Sequence, residues 1–390
     1  MKKILIMTGS MNVGGIEKAL AEMLKIIPYD IYEVDLLLEE PEGIYMSEIP
    51  PKVNMVYNPT IANCLYKSRK KQILELFAKR RICKIIRLLY ESTIFAITKN
   101  VCRYYSWQCT RMDKLEKKYD VAIAYSNPFR FPGHYILKNV TASKKMLWNH
   151  TDLLYNKINH SGFKKLYKDV DCFVNVSKAA LESCAKIFPE MKDKMTVYYN
   201  VINRDEIMEK SKEFDIERNA DIPVLLTVGR LSPEKGQDRI PDIAKLLKDK
   251  NIDFIWYVVG GGNIFDSIKS KTEKYGLEDS IILMGNQENP YPYMKACDIY
   301  VQTSWQEGFP MVIGEVLTFG KVCVVTNVGG TTEYFENQDF VAVAEVNDNE
   351  HIAFCTERVI CDKNYYNLVK SNISKLESRN SIKDFIDLIE

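Results

Sequence analysis

Two carboxylates, Glu307 and Glu315, stand eight positions apart in the stretch Thr303 to Gly320. Between them Gly308-Phe309-Pro310 reads as a turn that leads into an apolar helix beginning near Met311. Proline suits a first helical position because it has no N–H to leave unbonded. The backbone N–H groups of such a turn, at the positive end of a helix, make an anion site. Glu307 precedes the helix and Glu315 lies in its second turn, an arrangement suited to a ligand with both phosphates and sugar hydroxyls. Taken alone, the same stretch reads equally well as a strand, a turn and a buried helix with two satisfied acids. Arg230 and Lys235 lie in a second loop, Gly229 to Gly236, after an apolar run. Arg as a planar fork and Lys as a point charge suit a diphosphate. Two surface charges on a turn is the plainer reading, and it loses ground because both features fall in the same half of the chain. His150, one of four histidines, ends the apolar run from Met146 and is followed by Asp152. Gly14-Gly15, after the first apolar run, offers close backbone approach to a phosphate or sugar, or simply a tight turn.

The elements that must position these residues follow an α/β texture. Short apolar runs at 4–8, 34–38, 121–126, 146–149 and 172–177 read as buried parallel strands. A second series follows at 223–228, 254–259, 281–284, 299–303 and 322–326. Strand, glycine-bearing loop and helix recur in both halves, and ligands of such sheets bind at the carboxyl ends of the strands. The expected fold is two Rossmann-like doubly wound domains facing across a cleft, 1–205 and 206–375, with a final helix in 376–390. The charged stretch 204–222 reads as the linker. Asp169-Val170-Asp171 leads straight into a strand, so Asp171 reads as a strand start and not as a metal ligand.

The 390 residues carry a net charge of +1, which points to no nucleic-acid partner. Ten scattered cysteines without a Cys-x-x-Cys pair read as reduced core residues of a cytoplasmic protein. The apolar run at the N-terminus is too short for a signal peptide. Segment 66–118 differs from the rest: fifteen Lys and Arg against four acids give it +11, leaving −10 elsewhere. Apolar and aromatic residues interleave with those charges. A basic amphipathic insertion of this kind suits an anionic membrane surface at the inner face of the cell membrane. Nucleic acid is a second reading, and a solvated insertion whose apolar face joins the core is a third.

Together the motifs resemble the retaining glycosyltransferases of family 4, of the GT-B fold. The matching pieces are Gly14 to Lys18, Trp148 to Asp152, Gly229 to Gly236, Gly285 to Tyr291, Glu307 to Pro310 with Glu315, and Gly329 to Glu333. They occur in family order over nearly the whole chain. The resemblance implies that Arg230 and Lys235 neutralise the donor diphosphate and that Glu315 binds the ribose. Glu307 would meet the donor sugar hydroxyls with backbone N–H groups of Gly308, Phe309 and Met311, beside Pro310. Asn286 to Pro290, with Asn286, Gln287 and Asn289 among them, would line the base mostly through backbone groups, and Gly15 the donor. His150 would lie near the reacting face of the sugar, so Glu307, His150, Arg230 and Lys235 form the expected catalytic set. Gly14 and Asp152 fall on the acceptor side. No metal and no cofactor are implied, only a nucleotide-diphosphate sugar, with uridine diphosphate (UDP) as the prior. The acceptor would be a saccharide or lipid-linked saccharide of cell-surface glycan synthesis. A nicotinamide oxidoreductase would want Gly-x-Gly-x-x-Gly after the first strand, and that motif is missing. A non-catalytic binding or scaffold protein would not need all four of Arg230, Lys235, Glu307 and Glu315.

Overall fold

The computed structural model describes residues 1–155, 161–335, 341–373 and 382–390. The chain divides into two compact units, one of Met1–Val176, Ala180–Tyr198 and Ile382–Glu390, the other of Ser177–Ala179 and Tyr199–Ser381.

The first unit is built on seven parallel strands: β1 (Lys2–Thr8), β2 (Tyr32–Leu38), β3 (Asn54–Val56), β4 (Lys118–Tyr125), β5 (Thr141–Asn149), β6 (Cys172–Asn175) and β7 (Met195–Val197). Their spatial order is β3-β2-β1-β4-β5-β6-β7. Ile4 to Met7 are wholly buried on both sides of β1, as expected of a strand covered by helices on both faces. The second unit has β8 (Val224–Val228), β9 (Ile255–Val259), β10 (Ile281–Gly285), β11 (Ile299–Gln302), β12 (Val322–Thr326) and β13 (Ala342–Ala344). Their order is β10-β9-β8-β11-β12-β13, again all parallel. Both sheets therefore reverse direction beside their first strand, which is the Rossmann arrangement. Two Rossmann-like α/β units are the fold class read from the sequence.

Segment 66–118, read as a basic amphipathic insertion, forms three helices, Arg69–Ala78, Ile82–Thr98 and Val101–Cys109. Ser68 and Asn100 cap the first and third, accepting from Lys71 N and Arg103 N, and Lys99 ends the second with a left-handed backbone. Cys102, Trp107 and Cys109 bury the third helix in the core. The middle helix is apolar on two sides. Leu88 and Ser92 point inward, whereas Ile82, Ile86, Leu89, Tyr90 and Ile97 share an outer face and are 50–74% exposed.

Two further readings change, the linker stretch and the place of Pro310. The charged stretch after 203 opens with a helix, Arg204–Lys210, because Asn203 accepts from Glu206 N at 3.2 Å and Ile207 is buried. Compact packing passes from one unit to the other at Tyr198/Tyr199, ahead of that stretch. Pro310 is the residue before the helix Met311–Leu317, with ψ of 111°, and not its first residue. The expected boundary at 375/376 lies outside the described residues. The helix Ile382–Ile389 packs in the first unit: Phe385 and Ile389 are buried, and Lys144 Nζ donates to the Leu388 carbonyl at 2.9 Å. Ten free cysteines are present, seven of them buried. No described helix is long and apolar enough to cross a membrane.

Candidate active site

In the second unit β11 inserts next to β8, so the loops that follow these two strands meet at the switch point of the sheet. The loop after β8 carries Arg230 and Lys235, and the loop after β11 carries Glu307. Their backbones are stitched together. Trp305 N and Gln306 N both donate to the Glu234 carbonyl, at 2.9 and 3.2 Å, and Thr303 Oγ1 donates to the Lys235 carbonyl at 3.2 Å. Gly236 permits this approach. Its φ is +63°, and a Cβ there would stand 2.3 Å from the Thr303 carbonyl oxygen. The loop after β12 closes the other side: Gly329, at φ +48°, has the Glu307 carbonyl oxygen where a Cβ would be, 1.8 Å away.

Lys235 Nζ meets both carboxylate oxygens of Glu307, at 2.7 and 2.6 Å. Ser304 Oγ donates to Glu307 Oε1 at 2.7 Å, and Gln302 Nε2 does so at 3.3 Å. Glu307 is thus a buried carboxylate held by a cation and two neutral donors. Ser304 and Gln302 escaped the sequence reading. Their signal was position alone, three and five residues before the acid on the same strand end. Arg230 is exposed and places one guanidinium nitrogen 3.2 Å from Glu234 Oε1. Burial pushes the Glu234 carboxyl up. The Ser232 hydroxyl, its own backbone N–H and the charges of Arg230 and Lys235 outweigh that and hold it below its ordinary value. Gln237 Nε2 fixes the Arg230 carbonyl at 3.0 Å. Glu315 is buried in the helix after Pro310, and Tyr300 feels the charges of both Glu307 and Glu315. These charges add to burial in raising the Tyr300 phenol well above its ordinary range.

The remaining expected donor residues divide. The Gly308 carbonyl is held by Ser177 Oγ at 2.9 Å and Gly330 N at 3.0 Å. Phe309 is a packing residue, stacked on Tyr334 at 4.1 Å between ring centres. Met311 opens the helix but is buried. That helix has only seven residues, so its dipole is small and the anion capacity rests on Arg230, Lys235 and local N–H groups. Asn286 is exposed against Gly261. Gln287 Nε2 donates to the Met284 carbonyl at 2.9 Å. Asn289 is committed to structure: it donates to the Lys210 carbonyl at 2.8 Å and caps Tyr291 N at 3.1 Å.

Gly14, Gly15, His150 and Asp152 belong to the first unit. Gly14 precedes the helix Gly15–Ile26, and Gly15 faces open space at its first turn. Asp152 Oδ1 accepts from Leu154 N at 2.9 Å. His150 packs on Tyr125 with ring centres 4.5 Å apart, its Nε2 buried without a partner, and burial pushes its pKa down to about 3. It is a neutral ring, fit to accept or donate a hydrogen bond and not to carry charge. Asp171 Oδ2 accepts from Lys145 N at 2.7 Å at the start of β6, the strand-start role expected of it.

Residues 208–375 match the family model of the glycosyl transferases group 1. That stretch is similar to a glycosyltransferase domain. Arg230, Lys235, Glu307 and Glu315 all lie inside it. The chain is similar to an N-acetylgalactosamine-N,N'-diacetylbacillosaminyl-diphospho-undecaprenol 4-α-N-acetylgalactosaminyltransferase of Campylobacter jejuni, at 31% identity over 55% of this chain and 56% of that one. It is 27% identical, over 48% of this chain and 50% of the relative, to an Escherichia coli UDP-Gal:α-D-GlcNAc-diphosphoundecaprenol α-1,3-galactosyltransferase. The chain spans about half the length of these curated relatives. Among solved structures, HepE of Anabaena in complex with UDP and glucose has a TM-score of 0.70 at 18% identity, covering 100% of this chain and 98% of that one. That likeness establishes the fold, the two-unit architecture of GT-B glycosyltransferases.

Proposed function

We propose that the protein is a retaining, metal-independent glycosyltransferase that moves a sugar from a UDP-sugar to a lipid-linked saccharide. The observation that carries this is the convergence of Arg230, Lys235 and Glu307 on adjoining loops of a glycosyltransferase domain, with Glu315 buried in the next helix. Lys235 has a third N–H beyond its two contacts with Glu307, and Arg230 is held by a single contact at the surface. Both can turn to a diphosphate and offset the charge that grows on it as the glycosidic bond breaks. A preorganised donor at such a point is worth about 3–4 kcal/mol of barrier. Glu315 binds the ribose and Glu307 the sugar hydroxyls.

Retention of anomeric configuration follows either from a covalent intermediate or from attack on the face that the leaving phosphate vacates. Both oxygens of Glu307 are tied to Lys235, and one also to Ser304 and Gln302, which makes it a poor nucleophile. That favours the second route, with the departing phosphate taking the acceptor proton. The relatives that act on diphospho-undecaprenol substrates support a lipid-linked acceptor. The outer apolar face of Ile82, Ile86, Leu89, Tyr90 and Ile97, ringed by exposed Arg and Lys, supports peripheral docking on an anionic membrane.

The test is a panel of radiolabelled nucleotide sugars incubated with lipid-linked saccharides, with the product linkage read by NMR. A product of retained configuration from a UDP-sugar, lost in Arg230→Ala and Glu307→Ala at unchanged circular dichroism, is expected. Inverted configuration, or transfer that survives both substitutions, contradicts the proposal.

A further inference from the structure

The first unit carries a polar group of residues at its own switch point. β1 lies between β2 and β4, so the carboxyl ends of these strands surround one spot. β2 runs into Glu39. The loop after β4 ends at Arg130, and the helical segment delivers Tyr66 and Tyr105 to the same place. The Tyr66 hydroxyl donates to Glu39 Oε2 at 2.7 Å. Gly9 lies alongside, a Cβ on it falling 3.9 Å from Glu39 Oε1. Tyr105 is fixed edge-on between Phe131 and His134, at 5.7 and 5.4 Å between ring centres. The Arg130 charge reaches both the Glu39 carboxyl and the Tyr105 phenol. Its guanidinium is exposed and makes no hydrogen bond or ion pair among the described residues. Glu39 is only partly exposed. Enclosure pushes its carboxyl up to about 7, against the Tyr66 hydrogen bond and the Arg130 charge and with Glu40 adding to the rise.

These groups are complementary to a particular chemistry. A carboxyl oriented by a tyrosine accepts from sugar hydroxyls, a fixed tyrosine ring covers the apolar side of a pyranose, and an uncommitted arginine fork matches a phosphate. We propose that Glu39, Tyr66, Tyr105 and Arg130 form the acceptor site, and that the acceptor is a saccharide carrying phosphate or diphosphate at its reducing end. Arg130 binds the phosphate, Glu39 accepts from a sugar hydroxyl, and Tyr66 is a positioning residue acting through Glu39. The inference rests on the transferase reading. It also explains why the basic segment interrupts the sheet between β3 and β4: Tyr66 and Tyr105 flank the helices whose outer face is apolar. One insertion then provides both a wall of the site and a surface for the carrier lipid.

The experiment is calorimetric titration of the full chain, saturated with UDP, using two probes: GlcNAc-diphospho-geraniol and GlcNAc 1-phosphate. Both probes are expected to bind, the lipid form more tightly. Arg130→Gln and Glu39→Gln are each expected to weaken binding at least tenfold while the UDP Kd stays within twofold. Tyr66→Phe should raise the acceptor KM and leave the donor KM unchanged. Equal affinity for the two probes would support the site with a soluble sugar phosphate as its source. Failure of either probe to bind beside UDP, or wild-type affinity in both Arg130→Gln and Glu39→Gln, would overturn the inference alone. Failure of UDP to bind the wild type would overturn the transferase reading beneath it.

Discussion

Removing Lys235 should cost the protein more than removing the charge of its partner. The Glu307 side chain is 6% exposed and Lys235 29%. Lys235→Ala leaves a buried carboxylate without its cation, a loss of about 3–5 kcal/mol for a fully buried pair. Here Ser304 and Gln302 still donate to Glu307, and Lys235 was partly hydrated, so the lower end, about 3 kcal/mol, is expected. Glu307→Gln is the reverse case. It leaves an ammonium that can turn to water and an amide that Ser304 can still meet, at a cost of about 1 kcal/mol. The double variant should recover about 1–2 kcal/mol relative to the sum of the two, because the two groups interact directly. For a domain of this size, about 3 kcal/mol lowers Tm by roughly 6–12 °C. Differential scanning calorimetry of the three variants gives the answer. A Lys235→Ala protein that melts with the wild type, or a Glu307→Gln protein less stable than it, would refute the reasoning.

Three further outcomes follow from the packing. His134 and His150 are pushed by burial to about 4 and about 3, so both are neutral in the fold and charge near pH 6.5 when unfolded. The unfolded chain then binds more protons below pH 6.5, and by pH 5 the first unit loses about 2 kcal/mol per histidine. Glu39 opposes part of this, since its folded carboxyl sits near 7 and its ionisation penalty shrinks as pH falls toward its unfolded value. NMR signals of both rings should stay unmoved from pH 8 to 5, and a midpoint near 6.5 would contradict the burial. Gly329→Ala forces a Cβ onto the Glu307 carbonyl at a positive φ. It should cost at least about 1–2 kcal/mol and weaken UDP binding, both readable in one thermal-shift series with and without UDP. Ile86→Ser with Leu89→Ser should abolish sedimentation with anionic vesicles and leave Tm within about 2 °C, because both side chains are exposed. Unchanged sedimentation would remove the membrane from the account.

The sequence made the two sheets legible because their central strands are continuous apolar runs bounded by glycine-bearing loops. β3, β7 and β13 were not, being three-residue strands at sheet edges with little apolar signal. The helix Arg204–Lys210 was hidden by its charge, and only Asn203 and Ile207 mark it. In the candidate site, the residue types of Arg230, Lys235, Glu307 and Glu315 suggested a diphosphate and sugar ligand. Their meeting could not be read from spacing, because Lys235 and Glu307 are 72 positions apart and the crossover of β11 beside β8 brings them together. The Asn289 side chain is taken up by structure, which leaves its backbone groups for the base that the resemblance implies. Glu39 and Arg130 sit in no motif, and only the strand order brings them to the carboxyl ends of the same three neighbouring strands.

The central claim is that the loops after β8 and β11, with the helix from Met311, hold a nucleotide diphosphate. Calorimetric titration of the wild type and of Arg230→Ala with UDP and with NAD tests it most directly. The account predicts that UDP binds the wild type, that its affinity falls at least tenfold in Arg230→Ala, and that NAD does not bind. NAD binding without UDP binding, or UDP binding indifferent to Arg230, would contradict it.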